Sequence, residues 1–233
     1  MYLERVEHAL AEVRGRINQA SARAGRSDGQ SITIVGITKG QPLEALHAAA
    51  QAGLQVIGES RVQDARDKRE AVGDLGLTWH LVGHLQRNKV RQALELFTLI
   101  HSVDSLRLAE AIDREAAKLG RLVSVLVQVN ASGEGSKYGF DVEGGVSAVR
   151  TVSELEHVRV DGLMTMAPFI DDVAALRRTF RRTRELYESC REDVVKFEGK
   201  HLSMGMSNDF EIAVEEGSTM VRLGTVLFGE RIS

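Results

Sequence analysis

From residue 32 onward the sequence alternates short β-rich runs with segments of helical period, and no other feature narrows the fold as much. The spacing predicts strands at Ile32–Thr38, Gln55–Gly58, Thr78–Val82, Thr98–Val103, Leu122–Val129, Val158–Leu163, His201–Ser203 and Thr219–Arg222. The first, ITIVGIT, and the fifth, LVSVLVQV, are nearly continuous apolar runs, as expected of strands covered on both faces in a parallel sheet. Between them, Pro42 opens a helix that Gly53 closes, Ser60 is placed to cap Arg61–Val72, and Ser105 to cap a helix ending at Gly120. Further helices are predicted over Val173–Glu192 and about Asn208–Glu216.

Eight β-then-α units in roughly 200 residues allow a closed (β/α)8 barrel or a doubly wound open sheet. The strand count and regular spacing favour the barrel, and no G-x-G-x-x-G follows the first strand as a dinucleotide fold would require. The expectation is an α/β protein with one domain over residues 1–233, a (β/α)8 TIM-type barrel with an additional N-terminal helix. In that helix Leu3, Val6, Leu10, Val13 and Ile17 form a seam of coiled-coil spacing. Two heptads are too few to specify a partner, so the seam is expected to lie on the barrel's own outside or bottom, and the protein to be a monomer.

Composition removes several classes of function. A single cysteine, Cys190, cannot form an internal disulfide, and it is expected to be a small buried residue rather than a nucleophile. No run reaches the roughly 18 apolar residues of a membrane span, and the charged N-terminus is unlike a signal peptide. A cytoplasmic location is expected. With 30 basic against 33 acidic residues, no general field for nucleic acid exists. The arginine run at 177, 178, 181, 182 and 184 therefore reads as a solvated helix face. His80 and His84 are four apart across Gly83, a poor arrangement for a shared metal.

In such a barrel the chemistry lies at the carboxyl ends of the strands. The first strand ends in Thr38-Lys39-Gly40, and a lysine leaving an apolar run can present a neutral amine to an aldehyde. After the seventh strand come Gly205, Met206 and Ser207, followed by a short helix; after the eighth come Arg222, Gly224 and Thr225. The loops after these two strands are the usual phosphate site of a barrel, and closure brings the eighth strand beside the first. An aldehyde-accepting lysine beside a phosphate cup describes a pyridoxal 5′-phosphate site.

The same residues resemble those of the YggS/PROSC family, the pyridoxal phosphate homeostasis proteins. The likeness covers essentially the whole chain. It rests on Thr38-Lys39, Gly58-Glu59, Trp79 to Gly83 with Leu85-Gln86 and Asn88-Lys89, Ser136-Lys137 with Gly139, and Gly162-Leu163-Met164. Most specific are Leu202 to Ser207 with Asp209, and Gly217 to Thr225. The resemblance implies a barrel like the alanine racemase N-terminal domain, with Lys39 as the Schiff-base lysine. It implies that Gly205, Met206, Ser207, Gly224 and Thr225 hold the phosphate and that Arg222 faces the pyridine nitrogen. Ser60 and His80 are then further cofactor contacts, and Lys137 is a second lysine near the cofactor. Two positions depart from the family pattern. Ser60-Arg61 stands where Asn-Tyr is usual, which shortens one polar contact and replaces an aromatic by a cation at the mouth. Gly40 follows the lysine where a larger residue is common.

An arginine at the pyridine nitrogen leaves that nitrogen unprotonated and makes the ring a poorer electron sink. A racemase also needs an acid/base on the opposite face of its substrate, and the chain reaches only Ser233, with no segment for a second domain. The leading expectation is binding, buffering or delivery of pyridoxal phosphate in its intracellular homeostasis, with pyridoxal-phosphate-dependent apo-enzymes as partners and without efficient amino-acid turnover. The alternatives are a racemase or lyase using His80, His84 or Tyr138, and a phosphosugar enzyme with Lys39 as an aldolase-type base.

Overall fold

The computed structural model describes residues 2–27, 29–133 and 138–230. Among these residues nine parallel strands follow in chain order: β1 Thr33–Ile37, β2 Val56–Glu59, β3 Thr78–Leu81, β4 Leu99–Val103, β5 Val123–Asn130, β6 Phe140–Asp141, β7 Val158–Thr165, β8 His201–Ser203 and β9 Met220–Leu223. The sheet order is β4-β3-β2-β1-β9-β8-β7-β5-β6, and an additional β4–β5 pairing joins its two ends. Without the two-residue β6, which lies beside the end of β5, this is a closed eight-stranded barrel. Each of the eight predicted strands is present, and β9 lies against β1 with Val35 opposite Arg222.

Among the described residues, nine α-helices accompany the strands: α1 Tyr2–Arg23, α2 Leu43–Gln51, α3 Val62–Val72, α4 Val90–Leu96, α5 Leu106–Lys118, α6 Gly145–Ser153, α7 Val173–Asp193, α8 Phe210–Glu215 and α9 Thr225–Phe228. The last helix is only one turn long, and α1 replaces it in the outer layer by packing against both α8 and α2. Helices α1 to α8 thus contact one another in an unbroken ring. The coiled-coil seam is consumed inside this ring, because Val6, Leu10, Val13 and Ile17 are all buried against the barrel.

The ends of the helices follow their sequences with two exceptions. Ser105 Oγ accepts the Leu108 amide, and Gly53 and Gly120 adopt φ of 77° and 60° just beyond α2 and α5. Pro42 is the N-cap of α2 rather than its first residue. Ser60 does not cap α3; the N-cap is Arg61, with no side-chain cap bond. The backbone of Ser60 is instead packed against Gly83, where a Cβ would lie 2.2 Å from the Ser60 carbonyl oxygen.

The arginine run on α7 is solvent-exposed as expected, but most of its charges are also paired. Arg177, Arg181 and Arg184 converge on the buried Glu216, at 3.2, 3.2 and 3.5 Å. Arg177 also pairs with Glu215, which Arg23 of α1 reaches at 2.7 Å. Charges that look free in the sequence clamp α7, α8 and α1 together.

Strand alternation divides the barrel interior into layers. Val35, Leu99, Leu126, Met164 and Met220 form an apolar plug. Two residues further along their strands, His101 and Arg222 succeed Leu99 and Met220, so the next layer is polar. That change of layer supports the site.

Gly162 sits where the β5–β7 register shifts, and a Cβ there would come within 1.8 Å of the His201 carbonyl oxygen. Gly162→Ala should therefore destabilise the barrel by about 3 kcal/mol or more. Gly15→Ala, in the exposed interior of α1 with nothing within 4 Å of the added Cβ, should instead stabilise the fold by about 0.5–1 kcal/mol. Urea unfolding midpoints check both.

Candidate functional site

A cavity of about 580 Å3 opens at the carboxyl ends of the strands. Lys39, Ser60, Met206, Ser207, Arg222, Gly224 and Thr225 line it, so seven of the ten residues expected at the site share one cavity. The opposite wall is mostly apolar, built from Met166, Pro168, Phe169, Ile170, Val173 and Leu176 of the β7–α7 connection and the first turns of α7, with Asp171 as its one carboxylate among the described residues. Gly205 and His80 are not among the lining residues. Lys137 lies outside the described residues.

Lys39 is presented by a constrained turn. Gln41 N–H donates to the Thr38 carbonyl at 3.0 Å, and Gly40 adopts φ 68°. The departure at Gly40 thus has a backbone cause, since a side chain there would be strained. The Lys39 peptide is held from the other side as well. Lys68 Nζ donates to the Thr38 carbonyl at 2.5 Å and to Glu59 Oε1 at 2.6 Å, and Thr38 Oγ1 donates to the same carboxylate oxygen at 2.6 Å. Glu59 is fully buried, with Oε2 unpartnered among the described residues. Its role, and that of Lys68, was not evident from sequence, because Lys68 looks like one more charge on an amphipathic helix.

Across the cavity, the turn after β8 is shaped by Gly205. Its φ is 96°, and a Cβ would lie 2.6 Å from Ala213 Cβ and 2.9 Å from Phe210 Cα. Gly205 is required by the turn and by the packing of α8. Asp209 Oδ1 accepts the Met206 amide at 2.5 Å and fixes the loop that carries Ser207. Ser207 Oγ in turn lies 3.4 Å from the amides of both Gly224 and Val226. At that length the hydroxyl satisfies neither amide well. Two backbone donors and the Ser207 and Thr225 hydroxyls therefore gather where an anion could be bound. Gly224 differs from Gly205. A Cβ at 224 would meet only Ile37, no closer than 3.4 Å, and both residues line the cavity. Protein packing leaves room there; what a side chain would fill is cavity.

Arg222 forms part of the polar layer at the cavity floor and is 4% exposed. Nη1 donates to Ser203 Oγ at 2.7 Å and Nη2 to the Thr165 carbonyl at 2.8 Å. Burial lowers its pKa to about 10, partly offset by Asp209, so the guanidinium is still charged at neutral pH. Burial likewise raises the Asp209 carboxyl, against the Met206 amide and Arg222. Beyond Ser203 stand His101, whose Nδ1 is 3.1 Å from Ser203 Oγ, and His80, whose Nδ1 is 3.1 Å from His101 Nε2. Burial, with the nearby His201, pushes His80 down to about 4, and burial also holds His101 well below the usual range.

The remaining candidates are distributed elsewhere. His84 stacks on Tyr138 with centroids 4.5 Å apart and bonds Asp104 through Nδ1 at 2.9 Å, and neither ring lines the cavity. Cys190 is fully buried in the core, which pushes its thiol up to about 12.

The closed parallel barrel is that of the alanine racemase N-terminal-domain class, and that family matches residues 9–232. An alanine racemase of Clostridium difficile 630 shares the fold, with a TM-score of 0.75 at 19% identity over 99% of this chain and 58% of its own. A protein of Aquifex aeolicus (strain VF5) named pyridoxal phosphate homeostasis protein is 42% identical over 95% of this chain and 96% of its own. PipY of Synechococcus elongatus PCC7942, solved with PLP bound, is 36% identical with a TM-score of 0.85, over 96% of this chain and 100% of its own. The chain belongs to the pyridoxal phosphate homeostasis protein family.

The buried histidines give the fold a defined pH response. Both have folded-state pKa values below the unfolded value of about 6.5, so below that pH the unfolded chain binds more protons and stability falls with pH. The loss should approach about 1.4 kcal/mol per pH unit for each ring between about pH 6.5 and 5. Asp209 works in the opposite direction and offsets part of it. Urea midpoints measured at pH 7, 6 and 5 should fall, and His101→Gln should flatten the slope.

Proposed function

We propose that this protein binds pyridoxal 5′-phosphate and serves to hold, buffer and hand over the cofactor, without efficient turnover of amino acids. The observation that carries the reading is one cavity with three matched ends: the Lys39 amine, the under-satisfied donors at Ser207, Gly224 and Val226, and the buried guanidinium of Arg222. These suit an aldehyde, a phosphate and an acceptor nitrogen on a planar ring. The relatives' names and the PLP-bound structure of PipY support the same assignment.

When bound, the cofactor supplies an electrophilic aldehyde carbon, to which Lys39 links covalently with loss of water. Ser207, Thr225 and the amides at 224 and 226 anchor the phosphate. Arg222 donates a hydrogen bond to the ring nitrogen and does not surrender its proton at neutral pH, which limits the ring as an electron sink. No tyrosine, histidine or cysteine stands among the described residues that line the cavity, and the wall opposite the polar floor is apolar apart from the carboxylate of Asp171. Racemisation needs a second acid/base on that side, and among the described lining residues Asp171 is the one ionisable side chain the β7–α7 connection offers. His80 is buried behind the floor, and the His84–Tyr138 stack is not part of the lining.

Addition of the cofactor to purified protein should produce a visible absorption band, and borohydride reduction followed by peptide mapping should mark Lys39. Lys39→Ala should abolish both. Single L-amino acids should give no sustained conversion to D-isomers or keto acids, and steady turnover would refute the carrier role.

The two glycines of the cup should behave differently. Gly224→Ala should leave thermal stability nearly unchanged while weakening cofactor binding about tenfold, or about 1.4 kcal/mol. Gly205→Ala should destabilise the fold itself, because of its positive φ and its contact with α8. Thermal melts and fluorescence titrations of both variants separate the two roles.

A further inference from the structure

Arg222 heads a buried chain of four side chains from four strands, continuing through Ser203 of β8 and His101 of β4 to His80 of β3. Ser203 and His101 are fully buried and His80 is 6% exposed. The two imidazole centroids are 5.1 Å apart with a tilt of 49°, so the rings meet through their nitrogens rather than by stacking.

The direction of every proton in this chain follows from its first member. A guanidinium has donors and no acceptor, so Ser203 Oγ accepts from Arg222. The Ser203 hydroxyl proton then needs an acceptor, and its other side-chain neighbour among the described residues is His101 Nδ1. His101 Nδ1 is therefore unprotonated, and in the neutral ring the proton lies on Nε2. That N–H donates to His80 Nδ1, which leaves the His80 proton on its own Nε2. A proton on His101 Nδ1 would turn two hydrogens toward each other and break the link to Ser203.

We propose that His101, acting through Ser203, is a positioning residue that fixes the Arg222 guanidinium against the ring nitrogen of the cofactor, with donors running one way from Arg222 to His80. The proposal rests on the cofactor reading given above. Without the acceptor at Ser203, the guanidinium keeps only the Thr165 carbonyl of its two hydrogen bonds and is free to turn about that contact. A Ser203 hydroxyl without His101 has no fixed orientation and can point its own proton at the arginine. The chain was not legible in sequence, because its members lie in separate strands at positions that look like ordinary barrel interior.

The test uses the full chain in two arms. In the protein without cofactor, long-range 1H–15N correlation spectra at neutral pH should show both His101 and His80 as neutral Nε2–H tautomers. An Nδ1–H or doubly protonated His101 overturns the donor chain. In the second arm, His101→Leu should weaken pyridoxal phosphate binding about tenfold and shift the absorption maximum. His101→Gln, whose amide can accept from Ser203 and donate to His80, should stay within about threefold of the parent. A folded His101→Leu protein with parental affinity and spectrum overturns the proposal alone. Failure of the parent protein to take up any cofactor overturns the cofactor reading and the proposal with it.

Discussion

A guanidinium enclosed in a barrel loses its hydration and is tolerated only where hydrogen bonds replace the lost water. Arg222 meets this condition with a hydroxyl from β8 and a backbone carbonyl from β7, and its charge is opposed by Asp209. Much of the upper barrel is organised by that requirement. The apolar plug of Val35, Leu99, Leu126, Met164 and Met220 stops one layer below, and Ser203, His101 and His80 take the interior positions above it. Asp209, which fixes the loop carrying Ser207, also lines the cavity that Arg222 underlies. A single buried charge thus connects the core, the floor of the site and the loop that forms one side of the anion cup.

The lysine end is built on the same principle from different parts. Glu59 is buried with one oxygen shared between Thr38 and Lys68, and Lys68 also takes the Thr38 carbonyl. The peptide that carries Lys39 is therefore anchored by a buried ion pair, while Gly40 supplies the turn. The two ends meet because closure places β9 beside β1. α1 completes the outer ring, and the arginines of α7 tie it to α8 around Glu215 and Glu216.

Sequence periodicity was sufficient for the barrel, since eight strands in register with turn residues have few ways to pack, and for the residues at strand ends that line the cavity. It misled where a side chain's partner comes from a distant element. Ser60 reads as a helix cap, yet its backbone is pressed against Gly83 and α3 starts without it. The arginines of α7 read as solvated and no more, because nothing local shows that Glu216 lies beneath them. His80 reads as a contact in the site; its backbone pairs beside Leu99, and only the side-chain hydrogen bond shows that its ring meets His101 of the next strand. Gly205 and Gly224 look equivalent in sequence, and the space around each tells them apart: turn and packing demand a glycine at 205, while 224 borders open cavity.

The proposed binding mode sets the aldehyde at Lys39, the phosphate at the Ser207–Gly224 cup and the ring nitrogen at Arg222 of one cavity. A crystal structure of the protein grown with pyridoxal phosphate tests it most directly. Continuous density should run from Lys39 Nζ into the cofactor, with the phosphate within hydrogen-bond reach of the amides of Gly224 and Val226 and Arg222 in contact with the ring nitrogen. Cofactor density attached to a different lysine, or a ring turned with its nitrogen away from Arg222, would contradict it.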